Sequence, residues 1–186
     1  RAEAGGVSAA RVTASAAAPL LHSLPPVHHP AARVLILGSM PGAASLAAAQ
    51  YYAHPRNLFW PLMADLIAFD PGAPYPARLQ ALKAAGIALW DVIGVCRRPG
   101  SLDARIDPRS IEVNDFSTFF ARHPQLTTVC FNGATAAASY RRLVLPRLDT
   151  RDLEYRQLPS TSPANAAMSA SHKRTAWLGI AETLLL

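Results

Sequence analysis

Cysteine is scarce in this chain of 186 residues: the only two are Cys96 and Cys130. They form no C-x-x-C pair, which argues against a zinc or iron–sulfur site built on cysteine and against a disulfide framework. Cys130 lies in an apolar segment and is predicted to be a core residue. The scarcity also fits the reducing environment of the cytoplasm.

Common signatures of metalloenzymes and membrane proteins are missing as well. None of the six His residues has the spacing of an H-E-x-x-H motif, and His28 and His29 stand beside Pro30, which is typical of a solvated loop. No run of about 18 apolar residues predicts a transmembrane helix. The short apolar stretch at 16–21 contains Pro19 and does not predict a signal peptide. We therefore expect no metal, no cofactor and no membrane partner.

Acidic residues are outnumbered, with 12 Asp and Glu against 18 Lys and Arg, so the formal charge is +6. A basic balance favours a polyanionic partner, although the scattered basic residues also fit an ordinary Arg-rich surface. Hydrophobic residues make up 51% of the chain, enough for a full core. We expect a flexible Ala-rich tail at 1–24 and one domain at 25–186.

Four short apolar segments predict buried strands, at 33–37, 87–93, 126–131 and 154–158. Segments with helical spacing lie between and after them, at 57–68, 77–85, 113–122, 134–145 and 172–185. This alternation predicts an α/β fold, a three-layer α/β/α sandwich around a mostly parallel four-stranded sheet. Ligands bind such sheets at the carboxyl ends of the strands. The loops after Leu37, Ile93, Phe131 and Leu158 are therefore the expected site.

The first of these loops reads Gly38-Ser39-Met40-Pro41-Gly42. The two glycines allow the backbone to approach a ligand closely, and Pro41 stiffens the turn. The segment is neither a G-x-G-x-x-G motif nor a P-loop. It predicts a pocket wall, with a plain tight connection as the alternative.

A segment dense in aromatic rings follows, from Tyr51 to Trp60. Aromatic faces stack on nucleic-acid bases, each contact contributing roughly 1–3 kcal/mol. Phe59 and Trp60 have a place in the core as their alternative, and we expect Trp60 to be a core residue. Tyr52 precedes a rigid Ala-His-Pro turn and is the better candidate for stacking on a ligand.

The loop after the last strand contains Ser160, Thr161 and Ser162 between two prolines. Hydroxyls and backbone amides in a stiff loop suit phosphate oxygens. Lys173 and Arg174 begin the following helix and could add positive charge. The alternative is a simple Ser/Pro-rich connection.

Three motifs in this order resemble the uracil-DNA glycosylase superfamily, and most closely its hypoxanthine-DNA glycosylase and mismatch-specific branches. They are G-S-M-P-G at 38–42, Y-A-H-P-x-N-x-F-W at 52–60 and L-P-S-T-S-P at 158–163. The segments at 86–93 and 131–133 fit as well, so the resemblance covers residue 25 to the end.

The resemblance implies a DNA repair enzyme without a cofactor. Such an enzyme flips a deaminated base, hypoxanthine or uracil, out of damaged DNA and hydrolyses its N-glycosidic bond, leaving an abasic site. The implied partner is single- or double-stranded DNA. We expect a cytoplasmic monomer that associates with the nucleoid during repair.

The resemblance also implies roles for single residues. The first motif of the superfamily usually supplies an Asp or Asn that positions the attacking water, and Met40 stands there instead. The hypoxanthine branch relies on the Asn of its Pro-x-Asn segment, which makes Asn57 the expected catalytic residue. Tyr52 falls where relatives stack an aromatic ring on the flipped base. Leu158 stands where relatives often have a His or Asn that could stabilise the leaving base.

Asp91 stands where the uracil-specific branch has an Asn that reads the base edge. An ionised Asp91 would accept a hydrogen bond from the ring N–H of either base, and a structural carboxylate that caps a loop is the alternative. The other residues expected to contact substrate are Gly38, Ser39, Met40, Phe59 and Asn132. The residues expected to contact DNA are Ser160, Thr161, Ser162, Lys173 and Arg174.

Two other classes of function stay open at this point. A Rossmann-like hydrolase or transferase of free nucleotides would need no DNA. A non-catalytic DNA-binding domain could keep the fold, and Met40 is the residue that leaves this alternative open.

Overall fold

The computed structural model describes residues 18–149 and 152–184. The strands are β1 (Leu20–His22), β2 (Val34–Gly38), β3 (Ile87–Asp91), β4 (Ile93–Arg97), β5 (Glu112–Val113), β6 (Thr128–Asn132) and β7 (Glu154–Leu158). The α-helices are α1 (Ala43–Ala48), α2 (Phe59–Ile67), α3 (Tyr75–Ala84), α4 (Phe116–Arg122), α5 (Ala134–Ser139), α6 (Ala170–Leu178) and α7 (Ala181–Leu184). None of these helices is long and apolar enough to cross a membrane.

Four strands form a parallel sheet in the order β3-β2-β6-β7. Successive side chains of a strand point to opposite faces, and β2 is apolar on both. Leu35 and Leu37 pack on one face with α4 and α5. Val34 and Ile36 pack on the other with α2, α3 and α6. The predicted three-layer sandwich is confirmed, and so is the buried position of Cys130.

A second, antiparallel sheet in the order β1-β4-β5 was not predicted from the sequence. The predicted strand at 87–93 in fact ends at Asp91, and β4 begins at Ile93. The predicted tail at 1–24 is wrong at its end, because Leu20–His22 form a strand paired with β4. The Ser23 N–H then donates to the Gly94 carbonyl at 2.7 Å. Residues 1–17 of that tail lie outside the described residues.

The five predicted helices are present with altered bounds, and α1 was not predicted. The stretch predicted at 134–145 begins as α5, continues as a π-helical turn at Tyr140–Val144 and ends in a 3-10 turn at Leu145–Arg147. Pro146 has no N–H and cannot continue an α-helical ladder. The stretch predicted at 172–185 is divided between α6 and α7, and residue 185 is outside the described part.

Candidate active site

A cleft of about 710 Å³ opens at the carboxyl ends of the parallel strands. Its walls come from residues 38–45, from the segment 51–57, from 101–103 and from 160–165, with Asp91 and Asn132 between them. The loops after Leu37, Phe131 and Leu158 therefore line the cleft, as expected. The prediction of a site loop after Ile93 is wrong, because the chain continues there as β4. The segment that follows β4 supplies the wall instead.

Asn57 lies on the cleft wall at the turn that leads into α2. Its N–H donates to the His54 carbonyl at 2.8 Å, and its Oδ1 accepts the Phe59 N–H at 3.0 Å. The first bond is made by the backbone, and the second holds the side-chain amide in place. A second lone pair of Oδ1 and the Nδ2 donors are left for a ligand, as far as the described residues show. The geometry suits a group that orients a small molecule.

Tyr52 combines an unusual backbone with a buried hydroxyl. Its φ of 54° is rare for a bulky residue, and strained backbone conformations of this kind cluster at functional sites. Its ring stacks on Phe59 with centroids 4.1 Å apart. The hydroxyl oxygen is shielded from solvent and makes no hydrogen bond of normal geometry with a described residue, although the Asn132 amide lies near it.

Phe59 does not line the cleft, contrary to its predicted contact with substrate. It is fully buried and packs behind Tyr52, so its contribution is to support that ring. Trp60 is a core residue as expected, and its indole N–H donates to the Tyr51 carbonyl at 2.9 Å.

Asp91 ends β3 directly beside Gly38, its partner in the sheet register. Asp91 is 3% exposed, and its Oδ2 accepts the Ser23 hydroxyl at 3.1 Å. Burial raises the pKa of Asp91 to about 7. The Ser23 hydrogen bond opposes this rise, the Asp103 carboxyl adds to it, and the Arg98 guanidinium opposes it.

Gly38 lets Asp91 and Tyr52 approach the same point of the cleft. A Cβ at position 38 would overlap the Asp91 Oδ1 and would lie 3.1 Å from the Tyr52 hydroxyl. Burial raises the pKa of Tyr52, and the Asp91 carboxyl raises it further. The bottom of the cleft therefore holds one carboxyl and one neutral phenol.

Polar contacts hold the 38–42 loop against the segment that follows β4. The Ser39 hydroxyl donates to Asp103, and the buried Arg98 donates to the Pro41 and Gly100 carbonyls. Arg98 Nη1 also lies 3.8 Å from Asp103. Met40 lines the cleft and is packed with apolar neighbours, which include Ile93 and Cys96. A thioether in this position cannot activate water.

The 159–165 loop is attached to the sheet through Asn132. Asn132 Nδ2 donates to the Thr161 hydroxyl, and the Thr161 N–H donates to Asn132 Oδ1, both at 2.9 Å. Thr161 is fully buried, so its side chain shapes the loop. Contrary to the prediction, it does not face DNA. Ser160 and Ser162 are half-buried on the cleft wall, and their contact with DNA stays a prediction.

The two basic residues that were predicted to contact DNA bind other groups of the protein. Lys173 is buried, and its ammonium donates to the Asn165 carbonyl at 2.8 Å. It therefore holds the loop from behind, contrary to its predicted contact with DNA. Arg174 pairs with Asp65 at 2.9 Å and is still partly exposed.

We expect Asn132→Ala to loosen this loop. The substitution removes two partly buried hydrogen bonds, each contributing about 1 kcal/mol, so the free energy of unfolding should fall by about 2 kcal/mol. Urea denaturation measures the change. Thr161→Ser keeps both hydrogen bonds and is the matched control. A loss of less than about 0.5 kcal/mol in Asn132→Ala would contradict this account.

Sequence reasoning missed several residues at the site, among them Arg56, Ser23, Arg98 and Asp103. Arg56 is exposed on the cleft wall, and its place in a Pro-Arg-Asn motif was a usable signal. Ser23 and Asp103 lie 68 and 64 residues from their partners Asp91 and Ser39. No local pattern marks either of them.

The chain has clear relatives among known proteins. A protein of Methanosarcina barkeri named hypoxanthine DNA glycosylase is 39% identical over 150 residues, which are 80% of this chain and 90% of that protein. A protein of Methanosarcina acetivorans with the same name is 38% identical over 141 residues, 75% of this chain and 85% of that protein.

A solved structure and a family model point to the same group of proteins. The solution structure of a candidate uracil DNA glycosylase from Methanosarcina acetivorans superposes with a TM-score of 0.76 at 32% identity, covering 90% of this chain and 100% of that one. The family model of the uracil DNA glycosylase superfamily matches residues 25–181. The match includes every motif that carries the resemblance. The chain therefore belongs to the uracil DNA glycosylase superfamily.

Proposed function

We propose that this protein removes a deaminated base, hypoxanthine or uracil, from DNA by hydrolysing its N-glycosidic bond and leaving an abasic site. Hypoxanthine is the first candidate, because both relatives described above are hypoxanthine DNA glycosylases. The protein acts as a monofunctional enzyme and, in this proposal, as a monomer on DNA.

The observation that carries the proposal is the chemistry of the cleft. A base in a duplex must leave the stack before its glycosidic bond can be attacked. A volume of about 710 Å³ is within the range of pockets that enclose a small ligand. Its polar groups include amides, hydroxyls, a phenol and the buried Asp91 carboxyl, which suit the edge of a neutral ring. Charged groups lie on its walls, among them Asp103 and Arg56.

Asn57 is the proposed water-positioning residue. A neutral amide is no strong base near pH 7, but it can hold a water molecule against C1′ of the sugar. The bond between C1′ and the base breaks with its electron pair going to the base, which gives the sugar oxocarbenium character. The water oxygen then bonds to C1′. Tyr52 is the proposed aromatic contact of the flipped base.

DNA contacts are proposed for the two rims of the cleft. Ser160 and Ser162 would donate to phosphate oxygens from one rim, and the exposed Arg56 would supply positive charge. Counterion release then makes binding weaken as salt is raised. A hydrolase of free nucleotides would show little of this dependence.

The test uses labelled oligonucleotides that contain hypoxanthine, uracil or only normal bases, each single-stranded and in a duplex. After incubation, alkali cleaves the abasic sites, and we expect cleavage only where a deaminated base was present. Free deoxyinosine is tested in parallel. Release from the free nucleoside alone would favour a nucleotide hydrolase, and tight binding with no abasic product would favour a binding domain.

A further inference from the structure

Only one oxygen of the buried Asp91 carboxyl is bound by the described part of the protein. Its Oδ2 accepts the Ser23 hydroxyl at 3.1 Å. Its Oδ1 lies where a Cβ of Gly38 would stand, and Gly38, Asp91 and Tyr52 all line the cleft. None of the described Lys, Arg or His side chains forms an ion pair with it. One carboxyl oxygen is therefore occupied by protein, and the other is presented to the ligand.

An ionised carboxylate in that position would oppose the reaction. The departing base carries the electron pair of the broken bond, and part of this negative charge reaches its carbonyl oxygen. A carboxylate beside it would repel that charge in a site shielded from water. A neutral carboxyl group would instead donate a hydrogen bond to the oxygen where charge develops.

Building on the proposed function, we propose that Asp91 meets the flipped base as a neutral carboxyl group, with Ser23 bound to Oδ2 and the proton on Oδ1 donated to the carbonyl oxygen of the leaving base. This replaces the expectation that Asp91 is an ionised acceptor. Asp91 is then a catalytic residue that touches the substrate, and Ser23 is a positioning residue.

The step balances without any further reactant. The bond between C1′ and the ring nitrogen breaks, and its electron pair stays with the base. The hydrogen bond from Oδ1 stabilises the charge that spreads to the carbonyl oxygen. Water adds its oxygen to C1′ and releases one proton, which neutralises the departed base. Asp91 keeps its proton at the end of the cycle.

The charged and titratable groups around Asp91 are consistent with a neutral carboxyl. Asp103 is a like charge on the segment after β4, and burial together with this charge places the pKa of Asp91 near 7. Tyr51 and Tyr52 are phenols whose pKa values are raised by burial and by Asp91, so they add no charge. Arg98 is the nearby cation, and its guanidinium is engaged by the Pro41 carbonyl.

The experiment is the pH profile of single-turnover base release from a hypoxanthine oligonucleotide at saturating enzyme. If only neutral Asp91 is active, the rate falls as pH rises, about 30-fold between pH 6 and pH 8.5. Asp91→Asn keeps an N–H donor but cannot ionise. It should retain a measurable rate at pH 6 and vary less than about threefold over this range.

Ser23→Ala tests the positioning role of Ser23 through the midpoint of the pH profile, which a purely structural role would leave unchanged. The Ser23 hydrogen bond lowers the pKa of Asp91, so its loss should shift the descending limb to higher pH. Ser23→Thr keeps the hydroxyl and should restore the wild-type midpoint. An unchanged midpoint in Ser23→Ala would overturn the role given to Ser23.

Thermal unfolding tests the ionisation of Asp91 without substrate. Its pKa in the folded protein, about 7, is higher than the ordinary value of 3.8. The stability that a neutral Asp91 provides is thus complete below pH 3.8 and is lost as pH rises to about 7. Asp91→Asn should therefore gain stability relative to wild type over this interval, and a constant difference would overturn the inference.

The outcomes separate this inference from the proposed function. No base release by the wild type at any pH would end the proposed function. Base release with a flat or rising profile from pH 6 to pH 8.5, or the same descending limb in Asp91→Asn, would overturn the inference alone.

Discussion

Asn57→Ala should abolish base release, with a loss of about 10³-fold in the single-turnover rate, while binding to DNA persists. The amide lies on the cleft wall and is oriented by the Phe59 N–H at 3.0 Å. No other residue at this rim combines a fixed neutral amide with an open lone pair, as far as the described residues show. Base release and filter binding measure the two effects separately.

The stability of the variant must be measured alongside its activity. Loss of the hydrogen bond from the Phe59 N–H should lower the free energy of unfolding by about 1 kcal/mol, because this contact forms an Asx turn at the entry to α2. Asn57→Asp keeps an acceptor for that N–H and can still hold water, so it should exceed Asn57→Ala in activity at least tenfold. Near-wild-type turnover by Asn57→Ala would remove Asn57 from the mechanism.

Gly38→Ala should reduce base release by about 100-fold, through steric overlap alone. The new methyl group would occupy the space of the Asp91 Oδ1 and would press against the Tyr52 hydroxyl. Moving a buried carboxyl away from its hydrogen-bond partner also destabilises the fold by about 1–3 kcal/mol. Rate measurements and urea denaturation give the two quantities.

Gly42→Ala is the matched control in the same loop. A Cβ there would meet only Ser101, at 3.8 Å, and the φ of −68° suits any residue. Activity and stability of this variant should stay near those of the wild type. Equal losses in both variants would mean that the loop needs glycine for its backbone and not for the approach of Asp91.

The sequence predicted the central layers because their signals are local. Residues of β2 are apolar at every position, as is typical of a strand covered on both faces. The carboxyl-end rule then located the cleft from strand positions alone. The short strands β1 and β5 have no such signal, because two or three residues are too few to show a strand pattern, and Pro19 interrupts the apolar stretch that leads into β1.

The contacts that shape the site could not be predicted from local pattern. Arg98, Ser39 and Asp103 meet through tertiary packing between distant segments. Lys173 was expected to face DNA because it begins the helix after the Ser160–Ser162 loop and could add positive charge there. Its side chain is instead buried, and its ammonium donates to the Asn165 carbonyl. Phe59 was expected to contact the ligand because it lies in the aromatic segment. The sequence does not tell which ring of the stack formed by Tyr52 and Phe59 faces the cleft.

The pairing of β1 with β4 has a consequence for the integrity of the whole protein. β4 is the middle strand of its sheet, and without Leu20–His22 one side of it would present unpaired N–H and C=O groups to solvent. Exposed strand edges of this kind pair with other chains and promote aggregation. A fragment that begins at residue 25 would contain every recognisable motif and would still carry an open edge next to its active centre.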